Sequence, residues 1–143
     1  QHTDSTAPLQ IAGEQGVLGF GQASDMKKFA PKAQLTAIID NWSPYYVARA
    51  RAVLDGSWSS TDTWDGMATG MVTMAPWSNM PDDIAAAAAA TSAAIVSGEI
   101  HPFQGPIYKQ DGTLAIGEGE RLDDGTLLGM NWYVKGVDDR LPQ

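Results

Sequence analysis

Leu35-Thr36-Ala37-Ile38-Ile39-Asp40-Asn41-Trp42-Ser43-Pro44 is the stretch on which the fold turns. Its first five residues are apolar or β-branched on both faces, as a strand needs when helices cover its sheet from both sides. Asp40, Asn41 and Trp42 end that strand. Ser43-Pro44 then opens a helix, with serine as N-cap and proline in the first turn, where a missing N–H has no intrahelical partner. Along this helix Tyr46, Val47, Ala50, Val53 and Leu54 share one face, Arg49 and Arg51 fall outside it, and Gly56 closes it.

The same plan precedes it. Asp4-Ser5-Thr6-Ala7-Pro8 reads as a helix start that Gly16 stops, and Val17-Leu18-Gly19-Phe20-Gly21 follows as a short apolar strand. Strands and helices alternating through short loops predict βα units of a parallel sheet with flanking helices. Downstream, Gly70-Met71-Val72-Thr73-Met74 predicts another strand. Pro81-Asp82-Asp83 leads a helix through an alanine run to about Ser97, with acidic residues suited to the positive end of its dipole and Gly98 as its stop. Beyond Ile100, Asp111-Gly112 and Asp124-Gly125 predict short strands and hairpins.

The 143 residues suffice for one domain with a single core. A formal net charge of -8 argues against a sequence-independent grip on nucleic acid or an anionic membrane. Without cysteine there is no disulfide, thiolate nucleophile or cysteine-ligated metal. No stretch approaches the roughly 20 apolar residues that span a bilayer. Gln1 begins abruptly in polar sequence with no basic-then-apolar leader, so a processed chain or a piece of a larger one is expected.

Open α/β sheets bind ligands in the crevice outside the carboxyl ends of their strands. Three polar clusters belong there: His2, Thr3 and Asp4 before the first helix, where a preceding strand outside this sequence would end; Gln22, Ser24 and Asp25; and Asp40, Asn41 and Trp42. They present carboxylates and amides to a ring bearing N–H donors, with Trp42 as a stacking plate. Each has a plainer reading. Asp4 and Asp25 can simply cap helical turns, Trp42 can be a core or hinge residue, and His2 can be an exposed terminal side chain. Trp58, Trp64 and Trp77 admit a sugar platform, although packing is the more usual use. Asp62, Asp65, Asp82 and Asp83 lack a calcium-loop pattern, and His2 and His101 lack zinc spacing. No nucleophile elbow, phosphate loop or dinucleotide fingerprint is present, so neither metal nor cofactor is expected.

Three segments carry a family likeness. Gln1-His2-Thr3-Asp4-Ser5-Thr6-Ala7, Gly19-Phe20-Gly21-Gln22-Ala23-Ser24-Asp25-Met26 and Leu35-Thr36-Ala37-Ile38-Ile39-Asp40-Asn41-Trp42 resemble the BMP (basic membrane protein) family of ABC-transporter substrate-binding proteins. Leu128-Gly129-Met130-Asn131-Trp132-Tyr133-Val134-Lys135-Gly136-Val137 is similar to the end of the same proteins.

The resemblance implies a type I periplasmic-binding-protein-like lobe. On that expectation residues 1–143 are the incomplete, C-terminal lobe of a two-lobe protein, with a hinge-returning segment near 100–143 and the N-terminal lobe absent. It further implies a non-enzymatic, extracytoplasmic, membrane-anchored or periplasmic component that closes on a purine-like ligand and hands it to an ABC permease. Nucleoside-binding relatives hold ribose with an aspartate where this chain has Ala23, and place a lysine where it has Asp40. Losing those sugar-directed groups points to a free base, adenine-like, over its nucleoside; each missing buried hydrogen bond is worth roughly 1–3 kcal/mol. The alternative within the same fold is binding of a purine nucleoside or another small solute. Two other classes stay open: an α/β hydrolase using Asp4, Asp25 or Asp40, and the effector domain of a LacI-like regulator.

Overall fold

The structure, a computed structural model, describes residues 4–141. His2 and Thr3 lie outside the described residues. The chain divides into two compact units, one ending at Ser97 and the other beginning at Gly98.

The first unit opens with α1 (Ala7–Glu14), which places Pro8 in its first turn. Thr6 is its N-cap residue but its side chain makes no capping bond; Ser5 Oγ instead accepts from the Ala7 N–H at 3.1 Å. Gly16 turns the chain out at φ 68°, and the Val17 N–H donates back to the Ala12 carbonyl. That bond keeps Val17 and Leu18 out of the sheet. The first strand, β1, is therefore Gly19–Ala23, two residues later than the apolar run suggests.

The second strand, β2 (Gln34–Asp40), lies parallel to β1 with Gly21 opposite Ala37. The crossover between them is a series of turns rather than a full helix. Its alanines make the core: Ala30 and Ala33 are buried against Leu9 of α1, with Ala12 and Met26 packed around them. Close approach explains the two glycines of β1. A Cβ on Gly21 would sit 2.7 Å from the Ala37 Cβ, and one on Gly19 would sit 2.8 Å from Leu9 Cδ2.

Helix α2 (Ser43–Asp55) follows, closed by Gly56 in the left-handed region. Its N-cap is Trp42 rather than Ser43, because the helix already includes Ser43, and no side chain caps it, since an indole offers a donor and no acceptor. A 3-10 turn at Met67–Thr69 precedes β3 (Val72–Met74), which pairs antiparallel with β2, Asp40 opposite Val72. The sheet is thus mixed, in the order β1-β2-β3. Thr36, fully buried, donates from Oγ1 to the Ala75 carbonyl at 2.7 Å and ties β2 to the end of β3. Helix α3 (Asp82–Ser97) carries Asp82 and Asp83 in its first turn as expected. This α/β arrangement, with a parallel pair and flanking helices, is compatible with part of a periplasmic-binding-like domain.

The apolar face of α2 is not covered. Tyr46 is 63% exposed and Leu54 88%, and Val47 and Val53 also face solvent. Amphipathic spacing marks which face is apolar, not whether anything lies against it.

In the second unit, β4 (Ile107–Tyr108) and β5 (Leu114–Ile116) form the hairpin expected around Asp111-Gly112. Asp111 Oδ1 accepts from the Thr113 N–H, and Gly112 takes φ 86°. Asp124-Gly125 instead starts α4 (Asp124–Leu128). The reason is the preceding residue: the Asp123 carboxylate accepts from the Thr126 N–H at 2.8 Å and caps a helix where a hairpin was expected.

Candidate functional site at the carboxyl end of the parallel strands

Parallel pairing puts the ends of β1 and β2 side by side, Ala23 opposite Ile39. Ser24 and Asp25 therefore leave the same sheet edge as Asp40 and Asn41. Ala23 leaves its strand at φ 66°, a left-handed conformation uncommon for a residue with a Cβ. Asp4 and Ser24 are exposed.

Asp25 works inward. Its Oδ1 accepts from the Lys27 N–H at 2.9 Å and from Gln34 Nε2 at 2.7 Å. These bonds, the backbone one first, hold its carboxyl below the usual range, with nearby Lys27 adding to the effect. Gln34 is fully buried and also accepts from the Met26 N–H through Oε1 at 3.0 Å. The carboxylate thus fastens the crossover, which is the capping role its position also allowed.

Asn41 fastens the next junction. Its Nδ2 donates to the Gly70 carbonyl at 3.0 Å, and its backbone N–H donates to the Met71 carbonyl at 2.7 Å. Gln22 lines a small hollow with Ser5, Pro8, Leu9, Phe20 and Met26. None of the described hollows is lined by Gln22, Asp25 and Asn41 together.

Asp40 and Trp42 do meet. They line a hollow of about 240 Å³ with Thr63, Trp64, Asp65, Met71 and Val72. Antiparallel pairing causes this, because it returns the start of β3 to the end of β2. Trp42 is 45% exposed and packs edge-to-face against Tyr45, centroids 5.9 Å apart, and at a 30° tilt against Tyr46, centroids 6.0 Å apart. Trp64 is 55% exposed and Trp58 is exposed as well, so neither serves as the core tryptophan that packing preference suggests. Trp77 lines an apolar hollow of about 490 Å³ between β3 and α3.

Arg49, assigned by helical spacing to the solvent side, holds the loop that carries Trp64. Its guanidinium lies 5.1 Å from the Tyr45 ring centroid and donates from Nη2 to Thr63 Oγ1 at 2.9 Å and to Thr61 Oγ1 at 3.4 Å. Hydrogen bonds with Thr63 first, and then Arg49, hold the Tyr45 hydroxyl below the ordinary phenol range. Thr63, Trp64 and Asp65 were missed as a group because they sit in a loop without periodicity. The available signal was an aromatic–acid pair in the segment that returns to a strand.

Over its whole length the chain is 61% identical to a purine-binding protein of Brucella abortus (strain 2308), of which it spans 41%. It fits part of a BMP-like substrate-binding protein. A putative ABC transporter glucose-binding protein of Haloferax volcanii is 27% identical over 99% of this chain and 34% of its own length. The chain thus spans less than half the length of either relative. Both relatives are named as binding proteins, which fits a non-enzymatic reading. A solved structure, a transcriptional activator of the comK gene from Bacillus halodurans, superposes with a TM-score of 0.57 at 18% identity, over 66% of this chain and 34% of that one. That likeness speaks for the fold alone. No family model matches the chain. Among the described residues no helix is long and apolar enough to cross a membrane, and no three acidic or histidine side chains cluster as metal ligands.

Proposed function

We propose that this chain is the C-terminal lobe of the solute-binding component of an ABC importer, and that it captures a purine-base-like ligand for delivery to a permease. The observation that carries the reading is the junction of the parallel strands with β3, where Asp40, Trp42, Trp64 and Asp65 line one open hollow. Carboxylates accept hydrogen bonds and do not donate them, and exposed indoles offer faces for a flat ring. The name of a relative 61% identical over the entire chain, a purine-binding protein, supports the same ligand class.

Relatives more than twice as long, together with the uncovered face of α2, support a second lobe contributed by the rest of the protein. Closure of two lobes about a hinge, with residues 100–143 returning the chain through it, then completes the site. Of the residues proposed from sequence, Asp40 and Trp42 face the ligand. Gln22, Ser24 and Asp4 line the neighbouring rim, His2 and Thr3 remain ligand candidates on the family likeness, and Asp25 and Asn41 hold the junction in shape. Substrate-binding proteins of ABC transporters are typically extracytoplasmic, and an anchored or periplasmic location follows from this role.

Calorimetric titration of the protein expressed from its complete reading frame tests the proposal. Adenine is expected to bind more tightly than adenosine, and glucose not at all. Tighter binding of adenosine would move the reading to nucleosides, and binding of glucose alone would replace purine by sugar. Consumption of the ligand during titration would mark a hydrolase instead.

A further inference from the structure

Two of the polar residues at the strand ends are already committed. Asp25 Oδ1 accepts from the Lys27 N–H and from Gln34 Nε2, and Asn41 donates from Nδ2 to the Gly70 carbonyl and from its backbone N–H to the Met71 carbonyl. A further carboxylate and a further exposed aromatic lie on the loop from Thr61 to Asp65, where Trp64 and Asp65 join Asp40 and Trp42 in one hollow. Resting on the functional reading above, we infer that Trp64 and Asp65 are specificity-determining residues, and that they select a flat heterocycle bearing an amino group over its oxo counterpart.

Three observations support the assignment. First, the hollow has a rigid floor. The end of β2 is pinned to the start of β3 by the Asp40–Val72 register and by both bonds from Asn41. Second, its wall is tethered although it is a loop. Arg49 grips Thr61 and Thr63 from α2 while resting on the Tyr45 ring, which places Trp64 and Asp65 one and two residues beyond the tether. Third, both charged groups in the lining are carboxylates, set beside the neutral indoles of Trp42 and Trp64. Asp40 and Asp65 supply acceptors only, so an exocyclic amino group with two N–H donors is satisfied against them and an oxo group in its place meets another acceptor. A site built to pair with a donor discriminates strongly against an analogue that lacks it. At about 240 Å³ the hollow is smaller than a typical whole pocket for a small molecule, as suits a half-site that a second wall completes.

The test compares adenine with hypoxanthine, which replaces the amino group by an oxo group and carries a single N–H on the adjacent ring nitrogen, so its edge has one donor where the adenine amino group has two. Wild-type protein from the complete reading frame, Asp65→Asn, Trp64→Leu and Trp64→Phe are titrated with each, and far-UV circular dichroism verifies folding. Wild type is expected to prefer adenine by at least about tenfold. Asp65→Asn should weaken adenine by about tenfold and bring the two ligands within about threefold of each other, because an amide can donate to the oxo group. Trp64→Leu should weaken both ligands by about tenfold, since base–aromatic stacking is indifferent to the substituent, and Trp64→Phe should restore most of that loss. Wild-type affinity and selectivity in Asp65→Asn and Trp64→Leu would overturn the assignment while leaving purine binding intact. Failure of the wild-type protein to bind either purine would instead remove the functional reading, and this inference with it.

Discussion

Gln34 donates from Nε2 to Asp25 Oδ1 at 2.7 Å across the crossover that joins the two parallel strands. The same amide accepts from the Met26 N–H, so one buried side chain closes both ends of the turn that follows β1. Its own backbone carbonyl receives Ser78 Oγ at 2.9 Å and Asn79 Nδ2 at 2.8 Å. Among the described residues no buried side-chain nitrogen or oxygen lacks a partner. The start of β2 is therefore a polar hub inside a small alanine-lined core.

Replacing Gln34 by leucine keeps much of its volume and strands the Met26 N–H. An unsatisfied buried group of this kind costs roughly 1–3 kcal/mol. Urea denaturation should show a midpoint lowered to match, with an unchanged slope. An unaltered midpoint would mean that water serves the crossover equally well.

The Asp25 carboxyl lies below its ordinary range in the folded chain, held there first by the Lys27 backbone N–H and then by Gln34. A folded value below the unfolded one gives stabilisation that is complete above about pH 3.9. That stabilisation disappears as the pH falls through the lowered folded value. The group is largely solvated, so its contribution at neutral pH should be modest, about 1 kcal/mol. Asp25→Asn should lose this amount at pH 7 and a smaller amount at pH 2, by denaturation at the two pH values.

Gly21→Ala tests close packing between β1 and β2. Its methyl group would lie 2.7 Å from the Ala37 Cβ and 2.9 Å from Gln34 Oε1. Overpacking typically costs 1–3 kcal/mol, and a lowered thermal midpoint is expected. Combining it with Ala37→Gly should recover part of the loss, because the nearest clash is then removed.

Arg49→Met keeps the packing stem but removes the bonds to Thr61 and Thr63. Hydrogen exchange should speed up at residues 61–65 and stay unchanged in β2. Adenine affinity should fall about three- to tenfold, and Arg49→Lys should restore only part of it, since one ammonium reproduces neither the fork nor the stacking on Tyr45. Equal exchange in all three proteins would show that the loop holds its shape without the tether.

Much of this arrangement is legible from local chemistry. The two-sided apolar run of β2, the proline after Ser43 and the glycines at 56 and 98 mark elements whose cause lies within a few residues. What is not legible depends on which hydrogen bond a residue finally makes, or on a partner brought up from elsewhere in the chain. Val17 looks like strand until its N–H is seen to close α1. Asp124-Gly125 carries the same turn signal as Asp111-Gly112, and only the Asp123 cap separates helix from hairpin. At the site, Asp40 and Trp42 follow from their place at a strand end. Trp64 and Asp65 do not, because it takes the reversal of β3 to bring an irregular loop beside them.

That reversal has an evolutionary corollary. The stretch between Gly56 and Gly66 joins two anchored ends and contributes no strand of its own. Lengthening such a connection is thermodynamically inexpensive. Insertions and exchanges there can remodel the mouth of the hollow while every rung of the ladder stays in place. A lineage carrying this scaffold can thus acquire new tastes by editing one short surface segment.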